Sequence, residues 1–238
     1  MITDEQRSEY ERKLARRVAR AFGVSYREAL EIVDKAAGQL ADLPGEYWDD
    51  YTARLSQAIR DPLMGSYTDS ADGLLSTLGI GVDWTLINQD AIDYITNYMY
   101  GMVGGITERT AKVIRKALAA YYRDGLTLDE LATMIGKSFS ASRAEAIAVT
   151  EITRSSAEGE MSAVKHIMAN GVVMVATWMT TNDDLVCPLC GPLNGLDADS
   201  YTADGRPSWI HPNGSYGIIG LPPAHVRCRC AVQWRIVT

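Results

Sequence analysis

The chain has 238 residues, 47% of them apolar, and a formal charge of −7; it is long enough for one large domain or two small ones and too apolar to be mostly disordered. The acidic balance excludes a polycationic nucleic-acid binder while leaving room for a local basic face. No stretch reaches the roughly 18 consecutive apolar residues of a membrane span, and the opening "MITDEQRSEYERK" lacks a leader's apolar core, so the expectation is a protein made in the cytosol and kept there or packaged from it.

From Thr3 to Gly171 the pattern is helical. Helices are predicted over 4–22, 26–42, 46–60, 70–79, 85–102, 108–123, 128–137 and 142–170, with breaks at Gly23, Pro44, Pro62, Gly79 to Gly81, Gly104 to Gly105 and Gly125. Four capping boxes mark helix starts, in which a hydroxyl and a later carboxylate or amide satisfy orphan amides reciprocally: "TDEQ" at Thr3, "SYRE" at Ser25, "TLDE" at Thr127 and "SRAE" at Ser142. Large residues on these helices, Trp48, Tyr51, Trp84, Tyr94, Tyr98 and Tyr100, are assigned to packing.

The first helix carries Arg12, Lys13, Arg16, Arg17 and Arg20. These side chains can contact DNA phosphates; Glu5, Glu9 and Glu11 lie beside them, so a solvated, salt-bridged face is the competing reading.

After Gly171 the period changes. "VVMVATWMT" (Val172 to Thr180) and "AVQWRIV" (Ala231 to Val237) are β-branched and aromatic runs predicted to pair as strands. The long Gly-, Pro-, Asn- and Asp-rich insert between them is uncommon unless something pins it.

All four cysteines sit in this last quarter: Cys187 and Cys190 in "CPLC", Cys228 and Cys230 in "LPPAHVRCRC". In a reducing compartment, clustered cysteines point to metal or redox chemistry before disulfides. A CxxC offers two thiolates to one tetrahedral ion, and structural zinc takes four S or N ligands. The other half comes from His225, Cys228 and Cys230, with His211 a distant fifth candidate whose removal is expected to leave the metal in place. The gap from Cys190 to Cys228 is wider than in common zinc modules. Redox work would need a helix after the first thiol, and "GPLNG" cannot supply one. A zinc deaminase would need HxE and PCxxC, but Val186 precedes Cys187.

Together, "RAEAIAVTEITRSSAEGE" (Arg143 to Glu160), Trp178 with "TTNDDLVCPLC", Gly195 and "PPAHVRCRC" resemble the C-terminal domain of phage head morphogenesis proteins, the Mu F-like or SPP1 gene-product-7-like minor head proteins. The resemblance covers about residues 143–234. It implies a structural, non-enzymatic, low-copy virion protein at the portal and capsid interior, assembled in the bacterial cytoplasm, with portal and capsid partners and, in some members, DNA. It also implies Cys187, Cys190, His225, Cys228 and Cys230 as the metal residues, where the donor types themselves point to zinc as cofactor, and Arg143, Thr150 and Glu151 as the characteristic helix residues. The family's proline after the histidine is Val226 here.

The expected fold is α+β and predominantly helical: a helical N-terminal region over 1–138, then over 139–238 a long helix, a small antiparallel sheet and a metal-pinned irregular insert. Glu151 is expected to pair with Arg143 or Arg154 rather than act as a base. No membrane and no small-molecule substrate is expected. The competing readings are a metal-dependent nuclease or toxin-related enzyme sharing the head-protein domain, using His211, Asn213 and His225, and a zinc-stabilised adaptor unrelated to phage. Such toxins append a catalytic domain after the shared one, whereas this chain ends eight residues after Cys230, which favours the structural reading.

Overall fold

The computed structural model describes residues 2–36, 38–181 and 186–237. In chain order these form α1 (Asp4–Lys35), α2 (Gly45–Leu78), α3 (Trp84–Asp124), α4 (Leu128–Gly136), α5 (Ala141–Ala169), β1 (Met174–Met179), β2 (Ser200–Tyr201), β3 (Pro207–Ile210), β4 (Ile218–Ile219) and β5 (Ala231–Ile236). The architecture is the expected helical α+β one with small antiparallel sheets.

Three expected helix breaks are absent. Segment 4–22 and the first part of 26–42 merge into α1, which ends at Lys35 short of the expected 42, while 46–60 and 70–79 merge into α2, and 85–102 and 108–123 into α3. Burial periodicity explains each. Along α1, Leu14, Val18, Phe22, Ser25, Ala29 and Val33 are buried at spacings of three or four residues, straight through Gly23. A glycine costs a helix about 1 kcal/mol relative to alanine, less than one well-buried aliphatic side chain returns. In α2 the stripe Tyr51, Leu55, Ile59, Leu63, Tyr67, Ala71 and Leu74 runs through Pro62. Proline there removes one helical bond, and nearby Arg17 donates to the carbonyl of Gln57 at 2.7 Å and pairs with Asp61 at 3.1 Å.

Two of the four capping boxes sit at helix starts. Thr127 and Glu130 bond each other's amides at 3.2 and 2.7 Å, and Thr3 and Gln6 do the same at 2.8 and 3.2 Å. Ser25 instead lies fully buried inside α1, and Glu28 pairs with Arg54. The residue that caps α5 is Ser140, accepting from the amide of Arg143 at 3.2 Å, not Ser142.

The chain divides into two compact units: Met1–Glu11, Leu63–Asp93 and Val149–Thr238 form one, Arg12–Pro62 and Tyr94–Ala148 the other. The second unit is all helical. Its core stacks Phe22 on Tyr51 at 6.4 Å and sets Phe139 edge-on to both. Arg143 lies over the Phe22 ring at 5.4 Å and donates to Thr110 Oγ1 at 2.9 Å and the Ser138 carbonyl at 2.5 Å. Its guanidinium therefore serves packing in this core. Of the aromatic residues assigned to packing, Tyr51 is buried, but Trp84 is 39% and Tyr100 82% exposed, a correction for those two.

The first unit holds the sheets. β1 and β5 pair antiparallel with Met174 opposite Ile236 and Trp178 opposite Val232, as their alternating sequence predicts. Met174, Ala176 and Trp178 point inward and are buried, joined by Val232, Trp234, Leu193, Trp209, Val164 and Ile167. The insert is more regular than the sequence suggests. It returns along the free edge of β1, with bonds from Trp178 N to Leu196 O, Gly195 N to Trp178 O and Ala198 N to Ala176 O at 2.8–2.9 Å, then forms the three-stranded sheet β2-β3-β4. Trp209 anchors it, packing edge-on to Trp178 at 5.2 Å and donating its indole N–H to Leu196 O at 3.0 Å.

Candidate metal centre

The CPLC segment forms a tight turn before a short 3₁₀ segment (Gly191–Leu193). The Cys187 carbonyl accepts from the amides of Cys190 and Gly191 at 3.1 and 2.9 Å, and the Cys190 amide also points at Cys187 Sγ at 3.4 Å. Two N–H groups turned back on the first cysteine bring both thiols to one side. Residues 182–185 of the "TTNDDLVCPLC" stretch lie outside the described residues.

The second arm follows the cis Pro222–Pro223 bond. The Cys228 amide donates to the His225 carbonyl at 3.1 Å, closing a turn in which Arg227 takes φ 64°. Few non-glycine residues adopt that conformation, and the surroundings must hold it. Thr150 on α5 contributes: its Oγ1 accepts the Arg227 amide at 2.9 Å. On the other side Arg7 donates to the Arg229 carbonyl at 2.7 Å, and the Arg229 guanidinium pairs with Glu11 at 3.0 Å.

These two arms bring all five sequence-predicted donors together. His225 Nε2 lies 3.0 Å from Cys187 Sγ and 3.2 Å from Cys190 Sγ, and Cys190 Sγ lies 3.9 Å from Cys228 Sγ. Donor atoms of Cys187, Cys190 and His225, and of Cys190, Cys228 and Cys230, fall within 4.8 Å of one another in each set. Cys190 belongs to both. The 3.9 Å separation is far from the ~2.05 Å of a disulfide and near the ~3.8 Å edge of a tetrahedron with ~2.3 Å metal–sulfur bonds. All four cysteines are free thiols. Around them is a cavity of about 40 Å³, lined also by Thr181, Val186, Arg227 and Arg229.

Two further observations fit a cation. The His225 Nδ1 lies 2.8 Å from the Val226 carbonyl; a carbonyl only accepts, so Nδ1 carries the hydrogen and Nε2 turns its lone pair toward the thiols, as a ligating imidazole requires. The buried thiols also polarise one another: hydrogen bonds from Cys190 and Cys230 hold the Cys228 thiol far below its usual range, and bonding to Cys228 pushes Cys190 upward. A cluster that stabilises a buried thiolate has a ready ligand for a soft metal ion.

His211 sits elsewhere. It is 1% exposed and bonds backbone on both ring nitrogens, to Leu189 O at 2.7 Å and to Asn213, and it belongs to neither donor set. Among the family-type helix residues, Thr150 touches the ligand-bearing loop, Glu151 pairs with Arg154 at 3.5 Å, and Arg143 serves the aromatic core of the other unit. Arg12, Lys13, Arg16 and Arg20 are exposed on α1. Sequence reasoning named His211 only as a distant ligand candidate and missed Arg7 and Glu11 as supports of the centre. A part-buried ion pair between residues 218 apart leaves no local spacing signal, and a lone histidine after a strand carries none for a supporting role.

A model of the phage Mu protein F-like proteins matches residues 99–233. The match therefore reaches back into α3, well beyond the stretch from residue 143 that carries recognisable motifs. No curated protein and no solved structure matches the chain.

Proposed function

The chain belongs to the phage Mu protein F-like family, a phage head morphogenesis family, and from that premise we propose that it is a minor structural head protein of a tailed phage or prophage, residing in the virion at the portal vertex or capsid interior. The observation that carries this reading is the convergence of Cys187, Cys190, His225, Cys228 and Cys230, from both ends of a 44-residue stretch, on one small cavity inside the matched region.

Zinc suits that donor set. Several thiolates and an imidazole close the coordination sphere of a tetrahedral ion, the pattern of structural sites rather than of catalytic ones, which keep a position for water. The ion, when bound, supplies a cross-link between the turn after β1 and the loop before β5. Arg227 and Arg229 line the cavity and offset the negative charge of a thiolate-rich zinc site. On this reading residues 139–238 carry the metal-pinned head domain and residues 1–138 the helical N-terminal region. The protein has no catalytic role, and its partners are the portal protein and other capsid components. Among the described residues, no helix is long and apolar enough to cross a membrane.

The test is co-purification: the protein is expected in purified virions at low copy, and a tagged form is expected to retain the portal ring in pull-downs. Its absence from virions, or plasmid cleavage that needs Mg²⁺ or Zn²⁺ and vanishes in His225→Ala, overturns the assignment in favour of an enzyme.

DNA contact is the finer part of the proposal. From residue 12 to residue 20, α1 has no acidic residue, and Arg12, Lys13, Arg16 and Arg20 are exposed, while Arg17 is engaged with Asp61. Arg12, Arg16 and Arg20 are one helical turn apart, ~6 Å, on a single stripe. Weak, sequence-independent binding to duplex DNA is expected in gel shifts, lost between roughly 50 and 200 mM salt and lost at low salt when Arg12, Arg16 and Arg20 are all replaced by alanine. Salt-insensitive binding rules the stripe out.

A further inference from the structure

We propose that His211 is a positioning residue of the metal centre, holding the CPLC turn through the Leu189 carbonyl so that Cys190 meets both sets of donors. The inference rests on the metal reading above and concerns a residue outside the donor sets.

His211 follows β3 directly, and its ring is buried against Tyr216, edge-on at 4.7 Å. The role of Nε2 is fixed by its partner. Leu189 O, at 2.7 Å from Nε2, only accepts, so Nε2 carries the hydrogen. Nδ1 faces the backbone of Asn213, with the amide nitrogen at 2.9 Å and the carbonyl oxygen at 3.0 Å. The imidazole is thus a bridge between the turn after β3 and the CPLC segment, with both ring nitrogens partnered inside the protein.

The bridge falls on a consequential atom. Leu189 lies between the two ligand-bearing positions of the turn, and its carbonyl shares a peptide plane with the Cys190 amide. That amide in turn points at Cys187 Sγ at 3.4 Å. Fixing one plane therefore orients the donor atoms at both ends of the turn. Hydrogen bonding within the turn employs the carbonyls of Cys187 and Cys190, whereas Leu189 O receives its bond from His211. Cys190 is the cysteine shared by the Cys187/His225 set and the Cys228/Cys230 set, so error in its placement is felt by both. Partners outside the ligand shell commonly change metal affinity 10- to 100-fold.

The experiment measures zinc affinity of the full-length protein by competition with a chromophoric chelator, for wild type, His211→Gln, His211→Asn and His211→Ala. Glutamine places an amide N–H near the position of Nε2 and keeps the bond to Leu189; asparagine places its carbonyl near Nδ1 and keeps only the bond from Asn213. His211→Ala and His211→Asn are expected to weaken zinc binding about 10- to 100-fold and His211→Gln only a few-fold, with near-stoichiometric metal in all at saturation. Cobalt-loaded samples are expected to show thiolate charge-transfer and d–d bands at the same energies throughout, because the ligand set is unchanged. Should His211→Ala not fold, the asparagine and glutamine pair still decides the question. Equal affinities across the variants, or a cobalt spectrum that changes with His211, overturn the positioning role while leaving the metal centre standing. A wild type that binds no metal removes the centre and this role together.

Discussion

Cys190→Ser is expected to empty the metal centre and produce the largest loss of stability available from one ligand. Each of the other four donors belongs to one close set, but Cys190 belongs to both, and at 2% exposure a serine hydroxyl there would be a poor ligand for a soft ion and a buried polar group. Structural zinc contributes apparent binding free energies on the order of 10 kcal/mol, comparable to the whole stability of an ordinary domain. Elemental analysis should fall from about one zinc per chain to a small fraction. If even ~5 kcal/mol of that linkage is lost, the melting transition should drop by ~10–20 °C at the ~2–4 °C per kcal/mol typical of chains this long. Cys187→Ser and Cys230→Ser each remove one member of one set, so each should also release metal. A strong chelator on wild type should reproduce the Cys190→Ser melt. A metal-free native protein whose melting ignores the chelator would sink this reading.

The sequence showed the donors plainly because ligand chemistry is local: CxxC and HxxCxC place their thiols by turn geometry alone, and no long-range fact is needed to see that they belong together. The long helix α5 and the β1–β5 pair were legible for the same reason, through their periods of 3.6 and 2. Helix breaks were misread because Gly23, Pro62 and Gly104 are local signals overridden by burial that only the tertiary fold supplies. Ser25 is an instance: its capping-box spacing to Glu28 is genuine, yet Phe22 and Ala29 on either side are core residues and carry the helix past it. The insert read as irregular because its backbone order comes from pairing with β1 and from Trp209 packed on Trp178, partners 31 residues apart. The supports of the site were hidden for a stronger reason. Arg7 and His211 donate to loop carbonyls, Thr150 accepts a loop amide and Glu11 acts through an ion pair, and the backbone end of such a bond carries no residue-type signature.

Gly159→Ala is expected to destabilise the first unit sharply, at a position no motif marks. A Cβ there would stand 2.0 Å from the Tyr67 carbonyl oxygen, 2.8 Å from its carbon and 3.0 Å from its Cα. All three are backbone atoms of α2, so relief requires moving a helix and not a side-chain tip. α5 approaches α2 this closely because its facing residues are small: Ser156 Oγ meets Ser70 Oγ at 2.7 Å, and Ser155 Oγ donates to the Leu63 carbonyl at 2.6 Å. Pushing the helices apart would strain both bonds, each buried and therefore costly to leave unmade. Overpacking typically costs ~1–3 kcal/mol and more when backbone must shift; ~3 kcal/mol or above is expected here, or ~6–12 °C in melting temperature. Gly101→Ala and Gly104→Ala provide the contrast, since a Cβ at either meets nothing within 4 Å. As helix-interior positions in α3, these should gain ~0.5–1 kcal/mol from propensity and reduced chain entropy. Calorimetry on the three variants separates the cases: if Gly159→Ala melts with the other two, the close approach of α2 and α5 is wrong. Because α5 also presents Thr150 to the Arg227 amide, a genuine clash should lower zinc affinity as well as melting temperature, whereas the two α3 variants should leave the metal untouched.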